Sequence, residues 1–373
     1  MVNKVLINAS NLHVGGGIQV ASSFLFELMS ERKTPWNLSI VVSKEVQETI
    51  SVLVQEINKF EEYEVIDDHG LKFISGALDR KMNKYDIVFT IFGPLYRLRS
   101  PFKSIVGFAQ PWIIYPNNEC YAMLPFVQRI KTRLKYWIQS KFFKQADVLV
   151  VELEHVKQTL ISLLGVPAER IHVVHNCISS IYLDKSVWRP VDFPMTDGYL
   201  RLGFLGRNYL HKNTAIFPAV AANLEQVHGI KAKFYVTFTD NEWVKCPAEF
   251  REVCINVGPL AVAECPHFYQ SLDGVVFPSL LECFSATPLE AMAMGKPLFA
   301  SDRAFNRDIC GSHAHYFDPM SPASAAQSIA GVFCGVGPDP DSLRAAREYA
   351  ISFSSPKERA RKYMALLKGD TSV

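Results

Sequence analysis

The sequence lacks the features that would put a protein across a membrane, in a disulfide framework or on nucleic acid. In its 373 residues no apolar run approaches the ~20 residues needed to span a bilayer. The apolar stretch near the start, Val5 to Ile7, is too short for a signal-peptide core and reads as a first strand. Eight cysteines, at 120, 177, 246, 254, 265, 283, 310 and 334, form no C-x-x-C pair and no finger-like pattern with histidine. Such scattered thiols, without a secretion signal, are expected to be reduced, mostly buried and cytoplasmic, with no structural zinc. Charge is also nearly balanced: a net +2 gives no reason to expect nucleic acid as a partner. No G-x-G-x-x-G fingerprint, Walker lysine, low-complexity tract or short-period repeat occurs, which argues against a nicotinamide dehydrogenase.

What remains is an ordinary globular composition, 49% apolar and 20% charged, in a chain longer than one core usually organises. Two domains are expected. The first half alternates strands with helices: VLINAS (5–10), a helix over 18–31, LSIVVS (38–43), DIVFTIFGP (86–94), SIVGFAQP (104–111), ADVLVVE (146–152), a helix over 155–165, and RIHVVHN (170–176). The second half repeats the logic with LRLGFLGR (200–207), a helix over 214–229, KAKFYVTF (231–238), CINVGP (254–259), DGVVFPS (273–279) and KPLFASD (296–302). Strands alternating with helices give a parallel sheet covered on both faces. The stretch 181–198 reads as a linker. The expected fold class is α/β with two doubly wound, Rossmann-like domains: 1–185, completed by a final helix over 355–373, and 186–354. Ser355, Pro356 and Glu358 mark the start of that last helix.

Three segments carry chemistry. In DGVVFPSLLECFSATPLEAMAMGKP (273–297) a buried strand leads through Glu282 and Cys283 into a helix that Ser285 is placed to cap. A helix N-terminus at the carboxyl edge of a parallel sheet suits an anion. Glu282 and Glu290, framing that anion site, suit hydroxyl groups on either side of a diphosphate. In GFLGRNYLHKNT (203–214) a strand delivers Arg207 and, five residues on, Lys212; a fork and a point charge suit a diphosphate. In NASNLHVGGGIQVA (8–21) Gly15 to Gly17 join a strand to a helix, as a turn that a ligand can approach or as a flexible loop. Asp339-Pro340-Asp341 spells D-x-D but reads as a helix cap, and no metal is expected.

Together these segments resemble the retaining glycosyltransferases of GT-B fold, specifically the large family 4 (group 1) of bacterial polysaccharide and glycolipid synthesis. The E-x7-E of Glu282 to Glu290 is similar to that family's donor motif, and Arg207 and Lys212 match its arginine–lysine pair in spacing. Residues 146–176 are similar to its last N-domain segment, and Gly15–Gly17 to its glycine loop. The resemblance implies two domains facing across a cleft, and a retaining, metal-independent hexosyltransferase without cofactor that uses a UDP- or GDP-type sugar. Arg207 and Lys212 would neutralise the leaving diphosphate. Glu282 would contact the donor sugar and Glu290 the ribose. Amides around Phe284, Ser285, Ala286 and Thr287 would hold the distal phosphate, and Gly16 and Gly17 would close over the donor. Two positions depart from the pattern: Gln110 replaces a frequent histidine, and Asn176-Cys177 replaces asparagine–glycine.

The acceptor is expected to be a saccharide or lipid-linked, with His13 and Gln110 as acceptor-side candidates, although a lone histidine such as His13 is more often structural. VQRIKTRLKYWIQSKFFKQ (127–145) carries six basic residues, at 129, 131, 133, 135, 141 and 144, and no acids. It reads as a peripheral contact with anionic membrane on the cytoplasmic face, or as an ordinary helix burying Ile130, Leu134, Trp137 and Ile138. The competing functional classes are a nucleotide-sugar epimerase of the same fold, a non-catalytic nucleotide-sugar-binding subunit, and a secreted sugar-binding receptor.

Overall fold

The computed structural model describes residues 3–30, 36–53, 60–66 and 76–370. The ends of two expected segments, Glu31 and 371–373, lie outside the described residues. The chain forms two compact units. One comprises Met1–Asn117, Leu124–Asn176 and Ser354–Val373; the other comprises Asn118–Met123 and Cys177–Phe353.

The first unit contains β1 (Lys4–Ala9), α1 (Gly16–Ser30), β2 (Asn37–Val42), α2 (Lys44–Leu53), β3 (Glu62–Val65), α3 (Ala77–Met82), β4 (Ile87–Thr90), β5 (Lys103–Gly107) and α4 (Pro111–Ile114). After α5 (Glu119–Met123), which groups with the second unit, come α6 (Phe126–Phe143), β6 (Val148–Val151), α7 (Glu154–Leu164) and β7 (Ile171–Val173). Its described strands pair in parallel in the order β3-β2-β1-β4-β5-β6-β7. The second unit runs β8 (Leu200–Phe204), α8 (Phe217–His228), β9 (Ala232–Val236), α9 (Asp240–Trp243), α10 (Ala248–Val253), β10 (Cys254–Asn256), α11 (Cys265–Gln270), β11 (Gly274–Phe277), α12 (Thr287–Ala293), β12 (Leu298–Ser301), α13 (Ala304–Cys310), β13 (His315–Phe317), α14 (Pro322–Phe333) and α15 (Pro340–Ser352). Its strands are also parallel, in the order β10-β9-β8-β11-β12-β13. The last helix, α16 (Pro356–Lys368), returns to the first unit.

The burial pattern explains the sheets. Central strands such as β4 and β11 are buried at every position, as strands covered on both faces must be. The core of the first unit brings Phe24 of α1 and Phe89 of β4 against Tyr363 of α16, each ring centroid 5.1 Å from the tyrosine. This packing keeps the C-terminal helix on the N-terminal sheet. The helix start is capped by Ser355, whose hydroxyl accepts the Glu358 N–H at 3.1 Å. Asp339 likewise caps α15, accepting from Asp341 N and Ser342 N. In the second unit Phe217 of α8 stacks on Phe234 of β9 with centroids 4.4 Å apart. All eight cysteines are free thiols, and Cys334 alone is exposed.

Three features differ from the sequence reading. The chain leaves the first unit after Asn176, ahead of the expected boundary at 185, because Tyr182 packs into the second unit. Asn176, at that crossing, accepts a hydrogen bond from the buried Arg359 of α16 through Oδ1. Residues 118–123 join the second unit, where Glu119 pairs with Arg303 at 2.5 Å. Finally, α6 is not an ordinary core helix. Ile130, Leu134 and Trp137 are 51%, 54% and 59% exposed, and the buried positions are Gln139, Ser140 and Phe143.

Two glycines test how tightly the sheets are packed. A Cβ on Gly107 would lie 1.8 Å from the backbone oxygen of Ile91, whereas one on Gly203 would meet a flexible side-chain end, Leu272 Cδ1, at 2.0 Å. Gly107→Ala is therefore expected to exceed the usual overpacking cost of ~1–3 kcal/mol, and Gly203→Ala to stay within it. Thermal unfolding of the two variants checks this, and equal falls in Tm would contradict it.

Candidate active site

In the second sheet β8 and β11 are neighbours, yet the chain leaves them toward opposite edges. A crevice opens at the carboxyl ends of such strands, where open α/β sheets bind ligands. The segments singled out in the sequence emerge here. β8 ends at Phe204 and releases Gly206 and Arg207; β11 ends at Phe277 and releases the 279–286 loop and α12. The strands are locked at their opposite ends, where Asp273 accepts Arg201 N at 2.8 Å and its guanidinium through both oxygens.

The two loops meet through backbone and charge. Leu280 N donates to His211 O at 2.7 Å. Lys212 Nζ donates to Glu282 Oε1 at 2.6 Å, with side chains only 15% and 11% exposed. The ammonium also lies over the Phe277 ring, 5.2 Å from its centroid. A one-turn 3-10 helix, Leu210–Lys212, sets the lysine. It ends on Asn213, the one described non-glycine residue at positive φ (55°), whose Nδ2 donates to Pro319 O at 2.8 Å. Asparagine tolerates that left-handed backbone better than most residues.

Arg207 is half-exposed and does not touch this pair. Its Nε donates to both oxygens of Glu242 at 3.0 Å. Glu290 sits in the first turn of α12, and Tyr269 donates to its Oε2 at 3.0 Å. Burial pushes its carboxyl above the ordinary value, against hydrogen bonds from Tyr269 and Tyr182 that pull it down. The residue as a whole keeps some accessible surface. Beside it, burial lifts the Cys265 thiol to about 12, so that group stays protonated. The expected cap differs: α12 starts at Thr287, and Ala286, not Ser285, holds the cap position without a side-chain bond. Pro288 then supplies the fixed φ of a first turn. Because Pro288 carries no N–H, this helix start offers an anion one amide fewer than a first turn ordinarily does. The helix has only seven residues, so its dipole is modest and the side-chain cations carry most of the positive charge.

The remaining candidates lie in the first unit. Gly15 is left-handed (φ +71°), Gly16 opens α1 in open space, and Gly17 packs on Leu12. These glycines follow β1, which neighbours β4 at the corresponding crossing of the first sheet. His13 Nδ1 pairs with Glu45 at 3.0 Å. Gln110 precedes α4 and makes no side-chain cap to it.

Comparison with family models gives two matches, Glycosyltransferase Family 4 over residues 45–180 and Glycosyl transferases group 1 over 200–334. The chain belongs to the group 1, family 4 glycosyltransferases.

Solved structures agree on the fold of this glycosyltransferase. A glycosyltransferase from Rickettsia africae matches with TM-score 0.68 and 15% identity, over 99% of both chains. WaaG, a glycosyltransferase involved in lipopolysaccharide biosynthesis, matches with TM-score 0.68 and 12% identity, over 98% of this chain and 100% of its own. Anabaena HepE in complex with UDP-glucose matches with TM-score 0.65 and 11% identity, over 98% and 99%. At these identities the likeness is one of fold, GT-B. No curated protein sequence matches the chain.

Sequence reasoning missed several residues that contact the nominated ones. Tyr182, in the supposed linker, and Tyr269 hold Glu290. His211 lies beside the Lys212–Glu282 pair; burial mainly lowers its pKa, with Glu282 opposing and Lys212 assisting, so the imidazole is neutral at pH 7. Glu242 carried a signal, since T-x-x-E from Thr239 is a capping-box pattern, but its pairing with Arg207 is tertiary.

The raised pKa of Glu290 has a definite sign. Its folded value lies above the unfolded 4.5, so the stability it contributes is present below that pH and is lost as pH rises through the folded value. Glu290→Gln is therefore expected to gain in Tm relative to the native protein between pH 5 and pH 8. A difference in Tm that does not change with pH would show that the carboxyl is not desolvated.

Proposed function

We propose that this glycosyltransferase takes a hexose from a UDP- or GDP-type nucleotide sugar and transfers it with retention to a saccharide or lipid-linked acceptor, in surface polysaccharide or glycolipid synthesis. The observation that carries the reading is the Lys212–Glu282 contact at the β8/β11 crossing, with Arg207 on the same loop as Lys212. HepE, of like fold, is described in complex with UDP and glucose, which supports a nucleotide-sugar donor. WaaG, described in lipopolysaccharide biosynthesis, supports a glycolipid pathway.

Breaking the anomeric bond leaves charge on the nucleoside diphosphate. Arg207 and Lys212 stabilise that charge, and a preorganised donor of this kind contributes ~3 kcal/mol, or ~100-fold in rate. Glu282, already oriented by Lys212, accepts from the donor sugar's hydroxyls. Glu290, steadied by two phenols, accepts from the ribose. Amides from Phe284 to Thr287 receive the distal phosphate. The reading assigns charge neutralisation to these cations and not to a metal. In the first unit His13 and Gln110 are the acceptor-side candidates.

The exposed face of α6 favours a site of action on the membrane. Ile130, Leu134 and Trp137 form an apolar stripe at spacings of four and three, flanked by Lys131, Arg133 and Lys135, all exposed. No helix among the described residues is long and apolar enough to cross a bilayer, so this element would lie along the surface.

Thermal shift against UDP, GDP, ADP and their sugars is expected to single out one nucleotide, with its affinity reduced in Glu290→Ala. Stabilisation by none of them, or unchanged affinity in that variant, would sink the donor reading. Binding to liposomes containing anionic lipid should fall on the order of a hundredfold when Lys131, Arg133 and Lys135 are neutralised, at ~1 kcal/mol per charge. Absent or salt-insensitive binding by the native protein would remove the membrane contact.

A further inference from the structure

An exposed arginine is a poor instrument for gripping a diphosphate unless something restricts it. The side chain samples many rotamers, and that freedom is lost on binding. Arg207 is restricted. Its Nε donates to both carboxylate oxygens of Glu242, each at 3.0 Å. This engages the one N–H on the stem side of the guanidinium, and neither Nη atom has an acceptor among the described residues.

Glu242 is itself fixed before it fixes anything else. Its Oε2 accepts from Thr239 N and the Thr239 hydroxyl, both at 2.9 Å. Its Oε1 accepts from Asn208 N at 3.2 Å, so it also binds the backbone next to the arginine. The side chain is mostly buried, whereas that of Arg207 is about half exposed. Burial alone would raise this carboxyl's pKa, but the donors from Thr239 and Arg207 outweigh it and keep it ionised. The carboxylate is thus an anchored part of α9 that reaches across to the loop after β8.

We propose that Glu242 is a positioning residue: it holds Arg207 by Nε so that the two terminal nitrogens are presented as a fork to the nucleoside diphosphate. The inference rests on the reading of this site as the donor site. Its sign is what makes it testable. A carboxylate near an anion repels it, so removing Glu242 on charge alone would tighten diphosphate binding. If Glu242 works by ordering Arg207, removing it weakens binding.

The experiment is calorimetric titration of the full-length protein with UDP and GDP and with UMP and GMP. It compares native protein, Glu242→Ala, Arg207→Ala and the double variant, with kcat and KM for the donor measured alongside. Glu242→Ala is expected to weaken the preferred diphosphate about fivefold, the scale of ordering one long side chain, and to leave the monophosphate within about twofold of native. In the Arg207→Ala background the same change should cost nothing further, because the two act as one unit. Tighter or unchanged diphosphate binding in Glu242→Ala, or equal losses in both backgrounds, overturns the proposal while Arg207→Ala still upholds the donor site. Unchanged binding in Arg207→Ala takes down the donor reading and this inference with it. Should Glu242→Ala fail to fold, Glu242→Gln, which keeps an acceptor for Thr239, is measured in both backgrounds against the same criteria.

Discussion

The site is organised by one buried contact, the 2.6 Å pair between Lys212 and Glu282. Two loops follow adjacent strands and would otherwise be free to separate. The ion pair and the Leu280–His211 backbone bond tie them together. Such a pair gains little net stability from its charges, since desolvation cancels much of the attraction. What it supplies is position. Neither partner can leave without stranding the other's charge in a dry environment, a cost of ~3–5 kcal/mol. The 3-10 turn that carries the lysine, the left-handed Asn213 and the Phe277 ring below the ammonium all serve the same placement.

The fold was legible where hydrophobic periodicity was strong. Long apolar runs such as DGVVFPS and ADVLVVE announce strands buried on both faces, and β11 and β6 lie inside them. β3 and β13 were missed for a physical reason. EYEV is an edge strand of mostly exposed, charged residues, and HYF has only three residues, so neither carries a period that stands out from a loop. The final helix announced itself through Ser355, Pro356 and Glu358, because capping is local chemistry. The cap of α12 misled, because Ser285 has the right chemistry but sits one residue too early.

The site was half legible on the same grounds. Arg207, Lys212, Glu282 and Glu290 could be singled out because each lies within a few residues of a strand end or helix start. Their partners could not. Glu242 lies 35 residues from Arg207, and Tyr182 sits in a segment whose composition reads as linker. Local sequence can nominate groups that act on a ligand, but the groups that aim them are brought in by the sheet order. The helix α6 is the converse case. Its apolar stripe looks the same in sequence whether it faces a core or a surface, and only the packing of the first unit decides that Trp137 is left outside.

Each cation nominated for the donor comes with a carboxylate: Lys212 with Glu282, and Arg207 with Glu242. Two positive and two negative charges leave these four side chains with no net charge, which is a weak lure for a bare anion. A free phosphate would compete with Glu282 for the lysine and offer that carboxylate nothing in return. On the proposed reading a nucleotide sugar offers both halves, phosphate oxygens for the cations and sugar hydroxyls for the glutamate that shares its lysine. Discrimination then comes from the cost of a buried carboxylate left without donors, and it falls on any ligand that brings charge without hydroxyls. The two pairs differ in how much they can yield. Glu282 is nearly buried with its lysine and must be given new partners if the lysine turns to phosphate. Glu242 keeps its Thr239 bonds throughout, so it can hold the stem of Arg207 without giving anything up. The deeper pair is therefore suited to selecting the donor, and the outer pair to holding it.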